Sequence, residues 1–185
     1  MKKGMVAKRY AQALADVIRE EGEVDSTLKA LEELHNVVET NPELKSLVLN
    51  PAIPVGIKER VFTDVMEGMQ VSSFIRELVM MAVKNNRVQH LGVIAETYRD
   101  ITDEQLNRVR LHIRSAFPLE TGEEDSLRDI FGRVTGKKTI LSVEIDKSLI
   151  GGVVARIGWT VYDGSVVNEL RNLRTKFKTW LEEDI

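Results

Sequence analysis

Residues 108–115 read RVRLHIRS, and polar and apolar side chains alternate along this stretch without a break. A period of two predicts a β-strand with one buried side and one solvent-facing side. Before residue 106 the apolar residues recur instead at steps of three or four, which is the spacing of helices. We therefore predict a boundary here, between an all-α domain over residues 1–105 and a small α/β domain over residues 106–185.

Upstream of this boundary, six helical segments are joined by short loops, and no segment shows a strand pattern. Gly22 is expected to stop the first helix, and Asp25 or Ser26 to cap the second. Ser72 or Ser73 is expected to cap the fifth. Because short loops place successive helices side by side, the pattern predicts a compact six-helix bundle.

Downstream of residue 115, further strands are expected over 139–145, 152–157 and 160–162, and two helices accompany them. One helix follows Thr121, and Ser165 is the expected N-cap of the other. The first of these helices is expected to turn four apolar residues inward: Leu127, Ile130, Phe131 and Val134. A three- or four-stranded sheet covered by two helices would bury these faces, so the whole chain is predicted to be α+β.

The fifth predicted helix is apolar on nearly every side, since residues 79–83 read VMMAV. One interpretation is that this helix lies buried at the centre of the bundle. The other is that one face meets the core and a second face binds a partner helix, with Met80 and Met81 as an adaptable surface. In that case the alanine-rich first helix would form the opposite wall of a groove.

The composition argues against several classes of function. The 185 residues include 26 basic and 29 acidic side chains, a balance that speaks against a general nucleic-acid binder. Because the chain has no cysteine, disulfides and thiol catalysis are excluded. The first residues lack the apolar segment of a signal peptide, and no uncharged apolar run approaches about 18 residues. We therefore expect no direct membrane insertion.

Residues 132–139, GRVTGKKT, invite comparison with a phosphate-binding loop. Such a loop has four residues between its glycines and a Ser or Thr directly after the Lys, and it opens a helix. Here three residues separate the glycines, Lys138 intervenes, and the glycines end a helix. Nucleotide binding is therefore not expected.

Metal and catalytic sites are not expected either. The three histidines, His35, His90 and His112, lie on separate elements, and the acidic residues 123–125 have no companion ligands. The glycine-rich residues 145–165 are interpreted as a fold signature in which glycines let strands pack closely. We predict no catalytic residue, no metal site and no cofactor.

Motifs in order along the whole chain resemble those of the delta subunit of bacterial F-type ATP synthase, whose mitochondrial counterpart is the oligomycin-sensitivity-conferring protein. They read VAKRYAQAL at 6–14, NNR at 85–87, SAFPL at 115–119, TGK at 135–137, IDKSLIGG at 145–152 and DGS at 163–165. Each motif alone is weak, whereas the ordered set is specific. Two positions depart from the family: Lys8 stands where Arg is usual, and Trp159 where an acidic residue is usual.

The resemblance implies a stator subunit with no active site, present in one copy at the cytoplasmic face of the inner membrane. In the family, a six-helix domain holds the N-terminal helix of an alpha subunit, and the C-terminal domain holds the peripheral-stalk b subunits. The family's socket lies between the first and fifth helices. The matching partner-binding positions here are Tyr10, Ala13, Leu14, Val17, Leu78, Met81 and Val83. Trp159 either packs on its own domain or contacts the stalk, and we add it to the partner-binding positions because aromatic residues are favoured interface anchors.

One alternative from another class is a DNA-binding transcription regulator built on a helical bundle. The acidic balance and the absence of a clustered basic helix weigh against it.

Overall fold

The computed structural model describes the backbone of residues 2–183 and the side chains of residues 4–175. Two compact units make up the chain, Met1–Leu106 and Asn107–Ile185, here called unit 1 and unit 2. The described residues form eight α-helices and one four-stranded sheet, so the protein is α+β.

Unit 1 contains six of the α-helices and a short 3-10 turn, Val88–His90, ahead of the last. The helices are α1 Lys2–Val17, α2 Glu21–Thr40, α3 Pro42–Leu49, α4 Val55–Gly68, α5 Ser73–Lys84 and α6 Leu91–Gln105. Their buried apolar residues form one continuous core. Leu31, Phe62 and Tyr98, from three different helices, are completely buried in it.

The predicted start of the second helix is wrong. Glu20 is the N-cap residue, and α2 begins at Glu21, so Gly22 lies in the first turn of α2 and does not stop α1. Glu21 and Glu23 favour this earlier start, since the N-terminus of a helix carries a partial positive charge. The cap of α5 is as predicted, with the Ser72 hydroxyl accepting a hydrogen bond from the amide of Ile75 at 3.5 Å.

Unit 2 consists of β1 Arg108–Ser115, α7 Thr121–Thr135, β2 Lys138–Ile145, β3 Val153–Ile157, β4 Thr160–Asp163 and α8 Val166–Glu183. The sheet order is β2-β1-β3-β4, in which β1 and β2 are parallel and the other pairs antiparallel. Leu111, Ile113 and Ala155 form its main core beneath α7. Strand β1 has the predicted bounds, and the predicted alternation holds from Leu111 to Ser115, with His112 exposed. It fails at Arg108, which lies on the side predicted to face solvent but is only 2% exposed.

Only part of the inward face predicted for α7 is correct. Leu127 and Phe131 pack against the core, and the ring of Phe131 lies 5.8 Å from that of Tyr162. Ile130 and Val134 are 48% and 69% exposed. The helix turns Ile130 about 100° away from Phe131, and Val134 lies in the last turn before Gly136 leads to β2, so the small sheet covers neither residue.

The glycine-rich stretch shapes the end of unit 2 where β3 and α8 meet. A Cβ on Gly152 would lie 2.2 Å from the carbonyl oxygen of Gly164, and Gly152 has a φ of +77°. After the DGS turn, the Ser165 hydroxyl accepts a hydrogen bond from the amide of Asn168 at 3.2 Å. Ser165 is therefore the N-cap of α8, as predicted. The glycines therefore permit a close backbone contact.

Candidate protein-binding groove

A groove of about 490 Å³ runs between α1 and α5 in unit 1. Its floor is formed by Leu14 and Leu78, which are only 4% and 8% exposed. Its rims carry large apolar side chains that remain open to solvent: Val17 is 58% exposed, Phe74 47% and Met81 57%. Such a concave apolar surface, about two helical turns long, is suited to an amphipathic helix.

Small residues on α1 give the groove its depth. Ala7, Ala11 and Ala15 are completely buried and let α1 approach the core closely. Ala13 is exposed and lines the groove, where its single methyl group leaves room above the floor. The alanine pattern of α1 thus serves the core on one side and the groove on the other.

One end of the groove is closed by a hydrogen bond between its walls. The side-chain amide of Asn85 donates to the Tyr10 hydroxyl at 3.3 Å and to the Met81 carbonyl at 2.8 Å. This bond sets the first half of α1 beside the C-terminal end of α5. Arg9 and Arg87 line the groove at this end.

A buried lysine supports the turn that follows α5. The Lys58 ammonium, in a residue only 3% exposed, donates to the Val48 carbonyl and to the Asn86 side-chain oxygen, both at 3.2 Å. Asn86 has a φ of +53°, a conformation that asparagine tolerates better than most residues. The two asparagines of the NNR motif therefore make different contacts: Asn85 hydrogen-bonds Tyr10 in the groove wall, and Asn86 accepts a hydrogen bond from Lys58.

Helix α5, the fifth predicted helix, is buried on one side only. Ile75, Val79 and Ala82 face the core, whereas Phe74 and Met81 are exposed on a second face along the groove. Helix α5 thus has one apolar face in the core and a second at the surface. It is not buried on every side.

Six of the residues predicted to bind a partner on the helices line this groove together: Tyr10, Ala13, Leu14, Val17, Leu78 and Met81. Val83 does not, because it is completely buried in the core of unit 1 and offers no surface to a partner. Sequence reasoning missed the lining residues Arg9, Phe74, Glu77, Asn85 and Arg87. Of these, Phe74 could have been found, since 74, 78 and 81 follow helical spacing.

Unit 2 exposes apolar side chains at two places relevant to binding. Trp159 lies at the turn between β3 and β4 and is fully exposed, so its ring has no packing partner among the described residues. On α8, Val166, Leu170 and Leu173 are 40%, 55% and 48% exposed, and their spacing puts them along one stripe of the helix.

Charged groups order the turn that precedes Gly151 and Gly152. One oxygen of Asp146 accepts from the amide and the hydroxyl of Ser148 at 2.9 and 2.6 Å, and the other accepts from Arg114 Nε at 3.0 Å. These hydrogen bonds, those from Ser148 first, lower the pKa of Asp146 to about 2.

The described part of the chain contains neither a cluster of metal-binding side chains nor a helix suited to a membrane. No group of three or more His, Asp or Glu side chains there could hold a metal ion. Of the histidines, His112 pairs its Nδ1 with the Ser142 hydroxyl at 2.7 Å. None of the described helices combines the length and the apolar character that crossing a membrane requires.

Comparisons with known proteins agree along nearly the whole chain. Residues 6–177 match the family model of the ATP synthase delta (OSCP) subunit. An ATP synthase subunit delta of Anaeromyxobacter dehalogenans is 32% identical over 175 residues, covering 95% of this chain and 98% of the relative. One of a Geobacter species is 35% identical over 174 residues, covering 94% and 97%.

The fold has a counterpart among solved structures. A chain in the cryo-EM structure of the Toxoplasma gondii mitochondrial ATP synthase hexamer superposes with a TM-score of 0.63 over 92% of this chain and 96% of that one. At 18% identity this likeness concerns the fold. The relatives support the stator role and not a DNA-binding regulator. The chain therefore belongs to the ATP synthase delta (OSCP) family, whose members are non-catalytic accessory subunits of the ATP synthase.

Proposed function

We propose that this protein joins the catalytic head of an F-type ATP synthase to its peripheral stalk. The six helices of unit 1 act as one bundle that binds the N-terminal helix of an alpha subunit in the groove between α1 and α5. Unit 2 binds the b subunits of the stalk. Held at both ends, the protein would keep the head from rotating with the rotor, so that torque drives ATP formation.

The observation that carries the proposal is the exposed apolar lining of the groove. Val17, Phe74 and Met81 are each about half exposed or more, although the core of the same unit buries Phe62 and Met66 completely. Covering these three side chains with the apolar stripe of a helix would remove further apolar surface from water, at roughly 25 cal/mol per Å². The flexible thioether of Met81 adapts to the shape of the incoming side chains.

Unit 2 offers a second apolar surface for the stalk. The stripe of Val166, Leu170 and Leu173 on α8 is suited to packing against another helix, and Trp159 is an aromatic anchor at a loop tip. A stator contact has to resist torque, which favours a combined buried area on the order of 1,600 Å² or more. Contacts through both units would supply such an area.

If these proposed contacts form, the location of the protein follows from that of its partners. We propose one copy per complex, held at the cytoplasmic face of the inner membrane through its partners, with no direct membrane insertion of its own.

The groove assignment is tested with an Ala13→Trp variant. The indole would fill the space above Leu14 and Leu78 while pointing to solvent, so the helices should keep their thermal melt. Binding of the alpha-subunit N-terminal segment, measured by calorimetry, should weaken at least tenfold, which corresponds to about 1.4 kcal/mol. Ala52→Trp, in the exposed corner between α3 and α4, is the matched control and should bind normally.

Normal affinity of the Ala13→Trp variant would exclude the groove as the binding site. The stalk contact has its own readout, the fluorescence of Trp159 in a Trp180→Phe background. Adding the C-terminal segment of the b subunit should shift this emission to shorter wavelength. An unchanged spectrum in a sample shown to bind the segment would remove Trp159 from the contact.

A further inference from the structure

We infer that the groove selects a helix by its charges as well as by its apolar stripe. The bound helix carries an acidic residue facing Arg9 and Arg87, and a basic residue about two turns away facing Glu77. This inference rests on the proposed function, because it describes the chemistry of the segment that unit 1 receives.

The charged residues that line the groove differ from other charged residues of α5, which form salt bridges. On α5, Arg76 lies 3.7 Å from Glu67, and Lys84 lies 3.9 Å from Glu59. Within the described side chains, Arg9, Arg87 and Glu77 form no salt bridge, although all three line the groove. The three charges are therefore open to a partner.

The positions of these charges give them a defined spacing. Arg9 adjoins Tyr10, and Arg87 follows the turn after Asn85, so both lie at the end that the Tyr10–Asn85 hydrogen bond closes. Glu77 comes eight residues before Asn85 on α5, which is about 12 Å along a helix axis. A helix lying along α5 would bring residues seven or eight apart over the two sites.

Charge at both ends also determines which way the helix lies. A helix bound in the reverse direction would place its acid beside Glu77 and its base beside the two arginines. Like charges next to an apolar surface disfavour that arrangement, so the groove would reject the reversed helix and helices of other charge pattern. Val17 and Met81 would bind any apolar stripe, whereas the three charged residues provide the selectivity.

The experiment uses the full chain and a synthetic N-terminal segment of the alpha subunit from the same organism. One variant combines Arg9→Glu with Arg87→Glu, and another is Glu77→Lys. The matched controls are Lys8→Glu, next to Arg9 but outside the groove lining, and Glu96→Lys on the exposed side of α6. Calorimetry at low and high salt measures binding, since salt screens charge pairs of this kind.

The double arginine variant should bind about tenfold more weakly at low salt, and the loss should shrink at high salt. A segment whose acidic residue is replaced by Lys should bind the double arginine variant with restored affinity. A segment whose basic residue is replaced by Glu should likewise restore binding to the Glu77→Lys variant. The controls should bind like the unaltered chain.

Three outcomes would overturn the inference in different ways. If the unaltered chain binds the segment and the groove variants behave like the controls, the charge pattern is wrong while the proposed function stands. If the unaltered chain does not bind the segment, the proposed function and the inference fail together. A stable dimer of the chain in light scattering that the segment does not dissociate would assign the groove to a second copy and likewise exclude the inference.

Discussion

The two units differ in how completely they bury their apolar side chains. Among the described side chains, unit 1 has twenty-four buried apolar residues in one cluster, whereas unit 2 has six, in two clusters of three. Within the same described part of the chain, large exposed apolar residues are distributed the other way, with seven in unit 1 and twelve in unit 2. Unit 1 is a filled core with one apolar groove, and unit 2 is a thin sheet with apolar surface on several sides.

This difference indicates how each unit can serve a stator. A helical unit with a large core holds a preformed groove, which receives a partner helix with little rearrangement. A unit with a small core gains much of its stability from what it binds, because a ligand of the folded state shifts the folding equilibrium. Unit 2 should therefore be the one whose stability depends more on its partner.

The largest expected effect comes from matched phenylalanine truncations. Phe62→Ala in unit 1 removes a completely buried ring and should cost about 3–5 kcal/mol. Phe131→Ala in unit 2 removes a half-buried ring and should cost about 1–2 kcal/mol, in proportion to the area it buries. Hydrogen exchange resolved along the chain would report the two units separately. If Phe131→Ala loses as much free energy of unfolding as Phe62→Ala, or more, unit 2 does not have the smaller core contribution.

A smaller effect is expected from the glycines of unit 2. Gly152→Ala combines a φ of +77° with a Cβ 2.2 Å from the Gly164 carbonyl oxygen, and it should destabilise unit 2 by about 3 kcal/mol. Gly158→Ala is the control, because its φ of +54° is similar but nothing lies within 4 Å of the added Cβ. Its cost should be about 1 kcal/mol. Equal losses in thermal melts would show that backbone conformation matters and the close contact does not.

The smallest effect concerns acid. The folded-state pKa of Asp146 is about 2 against an ordinary value of 3.8, so its contribution is complete above pH 4 and disappears as the pH falls toward 2. The pKa of Asp163 is lowered as well, mainly by its hydrogen bonds with Ser165. Unit 2 should lose stability over this range, and Asp146→Asn should flatten that dependence. An unchanged acid profile for Asp146→Asn would show that Asp146 has no part in it.

Several elements could be predicted because their signals are local. The alternation of residues 108–115 depends on which side of one strand is buried, and the Ser72 and Ser165 caps depend on hydroxyls within three residues of their donors. The apolar positions of α1 and α5 likewise follow from helical periodicity. The α+β class was accessible for this reason, whereas the groove positions were implied by the resemblance to the delta-subunit family.

The errors arose where several weak signals competed. Gly22 was expected to end a helix, but glycine is tolerated in a first turn whose neighbouring acids favour a helix N-terminus. The resemblance to the family places Val83 among the partner-binding positions, but it does not say which of the two apolar faces of α5 meets the core. Its complete burial shows that it belongs to the core face of α5.

The sequence by itself determined the helices, the strands and the family motifs, because capping, periodicity and glycine placement act over a few residues. Only the tertiary structure showed that Lys58 donates a hydrogen bond to Asn86, 28 residues later in the chain. It likewise showed that Asn85 donates one to Tyr10, 75 residues earlier. It also showed that Ile150, with a φ of +64°, takes a conformation more usual for glycine. The two hydrogen bonds, Lys58 to Asn86 and Asn85 to Tyr10, join distant segments, and such contacts leave no periodic pattern in either segment alone.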